Sequence, residues 1–243
     1  MKRESAWFAA WLFLLLVSPA VSRAALPAAY AEVKLDKRAA VEATGGLPVS
    51  GRVFLFLSAK QQGKEPRFGP DWFAPEPFFR LDVERFAPGD VVRIDDHAAG
   101  FPDVFSKLAP GVYRVQALLD HSLDSQHYAR AAGNLYSQVY SWRYDPAAPR
   151  PFRLTLDQWV RPSKFDQRPW LKEVRLVSPQ LSEFHKRDVL HKAAVVLPDG
   201  YDRQPTRRYP VIYSVPGFGG THRQAARAFL AAAPKPGPGE TDF

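Results

Sequence analysis

The sequence predicts two structural parts: an antiparallel β-sandwich of immunoglobulin-like type in residues 25–160, and a strand, glycine-loop and helix unit in residues 171–243. Three observations predict this division. The first part contains short β-rich runs between turn residues and no long helical period. The second part contains a continuous apolar run, a loop with three glycines and a helical pattern, in that order. The polar, proline-bearing segment 161–170 lies between them and is predicted as the linker.

The N-terminus has the pattern of a secretory signal peptide. A basic start precedes the apolar run Trp7–Val17, and Ser22 and Ala24 place small residues at the −3 and −1 positions. The alternative is a membrane anchor, but the run has about eleven residues and a span needs roughly twenty. We therefore expect cleavage after residues 1–24, export to the periplasm or the extracellular space, and no stable membrane anchor afterwards.

Composition narrows the classes of partner and cofactor. None of the 243 residues is cysteine, which excludes disulfides and thiolate metal sites. The formal net charge is +8, but Lys and Arg are scattered along the chain without a basic helix. This dilute pattern indicates a solvated surface rather than a nucleic-acid interface. We predict no cofactor and no nucleic-acid partner.

Short apolar runs in the first part alternate with strong turn signals. Pro88-Gly89 and Pro110-Gly111 precede two of these runs, and such pairs form turns because proline presets φ and glycine accepts a positive φ. The predicted strands are Val53–Leu57, Val91–Ile94, Tyr113–Leu118, Leu135–Trp142 and Phe152–Leu156. Their number and spacing favour an antiparallel sandwich.

The segment Pro66–Phe79 is rich in proline and aromatic residues. Prolines remove donors from a strand ladder, so the segment is predicted as a covering loop or a sheet edge. Trp72, Phe73, Phe78 and Phe79 would either form a sugar-stacking platform or bury their rings against the sandwich or the second part. The packing interpretation is favoured because proline-rich loops often bury rings in this way.

The second part is predicted to begin a sheet. Leu171–Val177 alternates polar and apolar residues, Ser178-Pro179 turns the chain, and Val189–Leu197 can pair with the first run. Val211–Val215 is a continuous apolar run and is predicted as a buried third strand. The loop Gly217–Gly220 and a helix over 222–233 follow. His185–Asp188 is predicted as a charged turn between strands.

Three motifs in this part resemble the entry to the catalytic domain of esterase-D-type, enterochelin-esterase-like hydrolases. They are Leu197-Pro198-Asp199-Gly200-Tyr201-Asp202, Arg208-Tyr209-Pro210-Val211, and the glycine loop Gly217-Phe218-Gly219-Gly220. Many relatives open this loop with a His-Gly pair, whereas this chain has Pro216-Gly217. Weaker similarity to the N-terminal β domain of secreted members occurs at 65–68, 100–102, 110–117 and 133–137.

This resemblance implies an α/β-hydrolase domain of which the chain holds only the first strands and a helix. It implies hydrolysis of a small-molecule or glycan ester, with the backbone N–H groups of Phe218 and Gly219 as oxyanion donors. Such enzymes need a serine in a Gly-x-Ser-x-Gly elbow, then an acid and a histidine. The sequence contains no such elbow, and Ser214 lies inside the predicted strand. We therefore identify no nucleophile, acid or catalytic histidine, and expect the chain to be truncated and inactive.

The histidines do not supply a site by themselves. His222 is the only one predicted near the glycine loop, and capping of the following helix is the favoured role over lining the cleft. His121 and His127 lie near Asp120 and Asp124, which suggests either a metal site or a solvated polar loop. The polar loop is favoured because no helix places the histidines at i and i+4.

Two hypotheses remain open from the sequence. The first is the N-terminal portion of a secreted carboxylic-ester hydrolase, inactive as this chain. The second is a secreted, non-catalytic β-sandwich that serves as a binding or accessory module. A longer reading frame that contains Gly-x-Ser-x-Gly would distinguish them.

Overall fold

A computed structural model describes residues 29–71, 73–122, 125–198 and 200–232. The fold is mostly β-strands in antiparallel sheets with few helices, as the sequence predicts at this level. The predicted signal peptide, Trp72 and Asp124 lie outside the described residues. None of the helices in the described ranges is long and apolar enough to cross a membrane.

Strands dominate the chain order. The strands are β1 (Ala31–Leu35), β2 (Val49–Ser58), β3 (Phe78–Phe86), β4 (Val91–Ile94), β5 (Ala99–Phe101), β6 (Gly111–Asp120), β7 (Leu135–Tyr136), β8 (Tyr140–Tyr144), β9 (Phe152–Leu156), β10 (Gln158–Trp159), β11 (Leu171–Val177) and β12 (Leu190–Val196). The helices are α1 (Lys37–Thr44), α2 (Pro179–His185) and α3 (His222–Ala232). Short 3₁₀ turns occur at Pro66–Phe68, Phe105–Lys107, Tyr128–Arg130 and Tyr201–Arg203.

Two sheets in the first part share one core. The smaller sheet has the order β4-β1-β9, in which β1 is parallel to β9 and antiparallel to β4. The larger sheet has the order β10-β7-β6-β2-β3-β5, and β8 also pairs with β6. Val33 and Leu154 of the first sheet and Leu55 and Val115 of the second are fully buried in one apolar cluster. Burial of both inner faces therefore holds the sheets together.

The central strands β2 and β6 are buried on both faces, which explains their continuous apolar sequences. Val53 and Leu55 face the shared core, whereas Phe56 and Leu118 lie in a second cluster on the opposite face. The ring of Tyr128 stacks over this second cluster, with its centroid 5.7 Å from that of Phe56.

Helix α1 follows β1 immediately and has a cap at each end. The Asp36 carboxylate accepts from the backbone N–H groups of Arg38 and Ala39 at 2.9 Å. Gly45 ends the helix with a φ of 69°, a conformation that favours glycine. The sequence pattern does not reveal this helix, because its eight residues show only two turns of periodicity.

The prediction for Pro66–Phe79 is correct for most of the segment and wrong at its end. Phe78 and Phe79 begin β3, an interior strand of the larger sheet, so they are not part of a covering loop. Phe79 is fully buried in the core, whereas the Phe73 ring is 99% exposed. Phe73 and Phe79 therefore lie in opposite environments and do not form a common stacking surface, and the favoured packing interpretation holds for Phe79 but not for Phe73.

The pairing of the first two strands in the second part is confirmed. Strands β11 and β12, named here the hairpin, pair antiparallel along their full lengths. The connection contains the short helix α2, which begins where a turn was predicted at Ser178-Pro179. After the helix the chain turns at Lys186 and Arg187, within the predicted charged turn His185–Asp188. The Ser178 hydroxyl accepts from the Leu181 N–H at 3.4 Å. Serine followed by proline is a favoured helix start, so this pair begins a helix here.

The prediction of a buried strand at Val211–Val215 is wrong for the described structure. Val211, Ile212, Tyr213 and Val215 are 69%, 83%, 88% and 89% exposed, and the segment pairs with no described strand. The two strands of the hairpin pair only with each other among the described residues. A strand needs a neighbour to satisfy its N–H and C=O groups, so the apolar run alone is not sufficient.

Candidate functional site

The predicted oxyanion loop forms a tight turn directly before α3. The Gly220 N–H donates to the Gly217 carbonyl oxygen at 2.9 Å, and Gly219 has a φ of 73°. The Phe218 ring is 90% exposed. Within the described part of the chain, no acceptor binds the backbone N–H of Phe218 or that of Gly219. Both donors are therefore available to an oxygen atom of a ligand.

His127 contacts this loop from the first part of the chain. Its Nε2 lies 3.0 Å from the Gly219 carbonyl oxygen, and because a carbonyl can only accept, Nε2 donates. A Cβ added at Gly219 would lie 3.1 Å from the same nitrogen. The sequence pattern predicts only His222 near the loop, because His127 is 92 positions away from Gly219 along the chain.

The expectation that His222 caps α3 is wrong. Thr221 is the cap: its hydroxyl accepts from the Gln224 N–H at 3.3 Å, while the Gln224 side-chain oxygen accepts from the Thr221 N–H at 2.9 Å. This reciprocal pattern is a capping box, and Thr-x-x-Gln was its readable sequence signal. Because Thr221 caps the helix, the His222 side chain does not, and it contacts the hairpin instead.

His222 meets a buried carboxylate. The Glu173 side chain of β11 is only 4% exposed, and its Oε1 lies 2.8 Å from His222 Nε2. The Arg175 guanidinium binds the other oxygen at 2.6 Å, and the His222 ring stacks on Phe165. Burial alone would raise the pKa of Glu173, but hydrogen bonds from His222 and Arg175 outweigh it and lower the pKa below 4.5.

We expect Glu173 to give the fold an acid-sensitive contribution. Because the pKa of Glu173 is lowered on folding, its contribution is present above the unfolded value of 4.5 and is lost as pH falls through the folded value. Glu173→Gln should therefore lower the free energy of unfolding at pH 6 more than at pH 3. Urea unfolding at the two pH values measures this difference.

The matched control is Glu183→Gln on helix α2, whose exposed side chain makes no ion pair within the described residues. This variant should keep the pH dependence of the parent chain. An equal loss for Glu173→Gln at both pH values would contradict the assignment.

A cleft of about 1460 Å³ is lined by both parts of the chain. The first part contributes the rings of Phe68, Tyr136 and Trp159, and the second contributes the start of α3. Arg223 of α3 binds the predicted linker, donating to the Ser163 hydroxyl at 2.7 Å and to the Ser163 carbonyl at 2.8 Å. Eight Lys or Arg residues and three acidic residues line the cleft, so its surface is basic.

His121 follows the end of β6 and is hydrogen-bonded to the loop at 133–134, while Asp120 is partly buried rather than solvated. His121 Nε2 lies 2.8 Å from the Gly133 carbonyl, and the backbone N–H of His121 donates to Asn134 Oδ1. Burial raises the pKa of Asp120, and the hydrogen bond from Asn134 partly offsets that effect. The described residues contain no group of three or more His, Cys, Asp or Glu that could hold a metal ion.

Ser214 has no arrangement for nucleophilic catalysis among the described residues. It lies in the exposed, unpaired segment before the glycine loop, and no histidine is hydrogen-bonded to it there. The Gly-x-Ser-x-Gly motif that would place this serine on a sharp strand-to-helix turn is also absent from the sequence. The described residues therefore offer two unpaired backbone N–H donors in the glycine loop but no attacking group beside Ser214.

No protein-family model, curated protein sequence or solved structure matches this chain.

Proposed function

We propose that this chain is the N-terminal portion of a secreted carboxylic-ester hydrolase. In this proposal residues 25–160 form an immunoglobulin-like β-sandwich and residues 171–243 begin an α/β-hydrolase domain. The signal peptide directs the protein to the periplasm or the extracellular space. The substrate class is a small-molecule or glycan ester.

The exposed apolar segment Val211–Val215 is the observation that carries the proposal. β-branched and aromatic residues rarely stay exposed as one contiguous group, because such patches usually mark a surface that another element covers. The segment also has a free backbone edge among the described residues. In a hydrolase sheet, further strands would pair with its edges and helices would cover both its faces.

The glycine loop gives the proposal its chemistry. During ester hydrolysis, negative charge develops on the carbonyl oxygen, and two adjacent N–H groups can stabilise it. Phe218 and Gly219 supply two such groups, and neither N–H is bound by an acceptor among the described residues. The nucleophile, the acid and the catalytic histidine of the family would come from residues that are not in this sequence.

A second candidate is a secreted binding or accessory module that performs no chemistry. The basic cleft favours it, since ligand binding there requires no nucleophile. Reading the DNA after codon 243 separates the two functions. An open frame with Gly-x-Ser-x-Gly followed by an acid and a histidine supports the hydrolase, and an immediate stop codon supports the module.

The chain as given should not hydrolyse esters. Oxyanion donors alone retain an acceleration of about 10³ to 10⁴ over water only within a formed site. Purified chain and its Gly219→Pro variant should therefore show the same rate with activated short-chain acyl esters. A rate well above that of the variant would reveal a nucleophile in this chain and contradict the prediction.

A further inference from the structure

The cleft concentrates positive charge that the rest of the fold does not neutralise. Five of its eight basic side chains make no ion pair with any residue that the structure describes, and all five are exposed. They are Arg130, Arg161, Lys164, Lys192 and Arg227. They come from the first part, the predicted linker, β12 and α3, so the fold brings them to one concave surface.

Two of the three acidic residues of the cleft are engaged in hydrogen bonds within the fold. Asp36 caps α1 through its carboxylate. Glu42 accepts from Arg38 and from Trp159 Nε1, and hydrogen bonds from these two residues lower the pKa of Glu42. Asp157 Oδ2 accepts from Gln138 at 3.4 Å, whereas its buried Oδ1 has no hydrogen-bond partner among the described residues. The cleft therefore has a formal surplus of five positive charges.

Aromatic rings hold two of the free guanidinium groups in place. Arg161 lies over the Trp159 ring at 5.1 Å, and Arg130 lies over the Phe68 ring at 5.4 Å. The ring contacts stabilise these cations without neutralising them. Thr221 and the first turn of α3 also line the cleft, so the positive end of the helix dipole adds to the field.

The clustered cations repel one another, and the concave surface of the cleft focuses their electric field. The cleft therefore favours the binding of an anion. The volume exceeds the roughly 300–1,000 Å³ of usual ligand pockets and leaves room for several charged groups on one molecule. We propose that the cleft binds a small, multiply charged organic or inorganic anion that presents several carboxylate or phosphate groups. This binding site is independent of the hydrolase function.

The test is calorimetric titration of the purified chain with tripolyphosphate and, separately, with citrate at low ionic strength. The two probes distinguish a phosphate source from a carboxylate source, and saturable binding of either supports the proposal. Added salt should weaken the binding because the contacts are between charges.

The variant Arg130→Gln/Lys192→Gln/Arg227→Gln removes three free cations from different walls of the cleft. It should weaken the binding at least about tenfold, since each lost charge removes one Coulomb attraction. The matched control Lys60→Gln/Arg143→Gln/Arg150→Gln removes the same charge from exposed positions outside the cleft. The control should bind within about twofold of the parent chain, because these charges are more distant and are screened.

The single variant Lys164→Gln provides a second test if the triple variant does not fold. It should weaken the binding about threefold. Equal weakening in the cleft and control triples would overturn the site, as would the absence of binding by both probes. Binding only of long polymers, such as an oligonucleotide or an acidic polysaccharide, would overturn the assignment to a small anion.

Discussion

Replacing Phe105 with alanine is expected to lower the free energy of unfolding by about 3–5 kcal/mol. Phe105 is fully buried, and its ring centroid lies 4.9 Å from that of Phe79 and 5.9 Å from that of Trp142. It also stacks on Phe152 of the smaller sheet at 6.5 Å. The ring therefore joins both sheets, and its removal leaves a cavity where they meet.

Guanidinium chloride unfolding followed by far-ultraviolet circular dichroism measures this loss. The control is Phe73→Ala, because the Phe73 ring is 99% exposed and its removal should change the free energy of unfolding by about 0.5 kcal/mol or less. If Phe105→Ala does not fold, Phe105→Leu should still fold and lose about 1.5 kcal/mol or less. A loss below about 1 kcal/mol for Phe105→Ala would contradict the placement of this ring in the core.

Turn chemistry and alternation predicted much of the fold. Pro88-Gly89 forms the expected turn, closed by the Asp90 N–H to the Ala87 carbonyl, and Gly89 has a φ of 98°. The Leu171–Val177 run pairs as predicted. Both features form between residues that are near one another in sequence, so local sequence patterns can predict them.

Strand β3 was missed because its signal is interrupted at both ends. Pro77 precedes it directly, and Arg85 adopts a φ of 51° where the register with β2 shifts. Phe79 and Val83 are buried at even spacing, but Phe86 is offset by the irregularity. A strict alternation pattern does not extend across such a bulge.

The candidate site could be predicted only in part. The Gly217–Gly220 turn was readable from its glycines, whereas its contact with His127 joins residues 92 positions apart. Glu173 and His222 meet across 49 positions, and the cations of the cleft come from separate segments. These contacts join residues far apart in sequence and arise only from tertiary packing. No local sequence pattern therefore predicts them.

The second prediction with a large expected effect concerns the proposed oxyanion loop. It applies to a longer protein, translated from a reading frame that continues past codon 243. Gly219→Pro removes one N–H donor and forces φ from 73° to about −65°. Loss of one oxyanion donor lowers kcat about 10²- to 10³-fold. The matched control is Gly217→Ala, since a Cβ at Gly217 meets no atom within 4 Å and the backbone donors remain.

The rate of hydrolysis of activated short-chain acyl esters by this continued chain, compared with its Gly219→Pro and Gly217→Ala variants, tests the proposed function most directly. We predict measurable hydrolysis that falls about 10²- to 10³-fold in Gly219→Pro and stays within about twofold in Gly217→Ala. Absence of hydrolysis by the continued chain, or equal rates in all three proteins, would contradict the assignment of Phe218 and Gly219 as oxyanion donors.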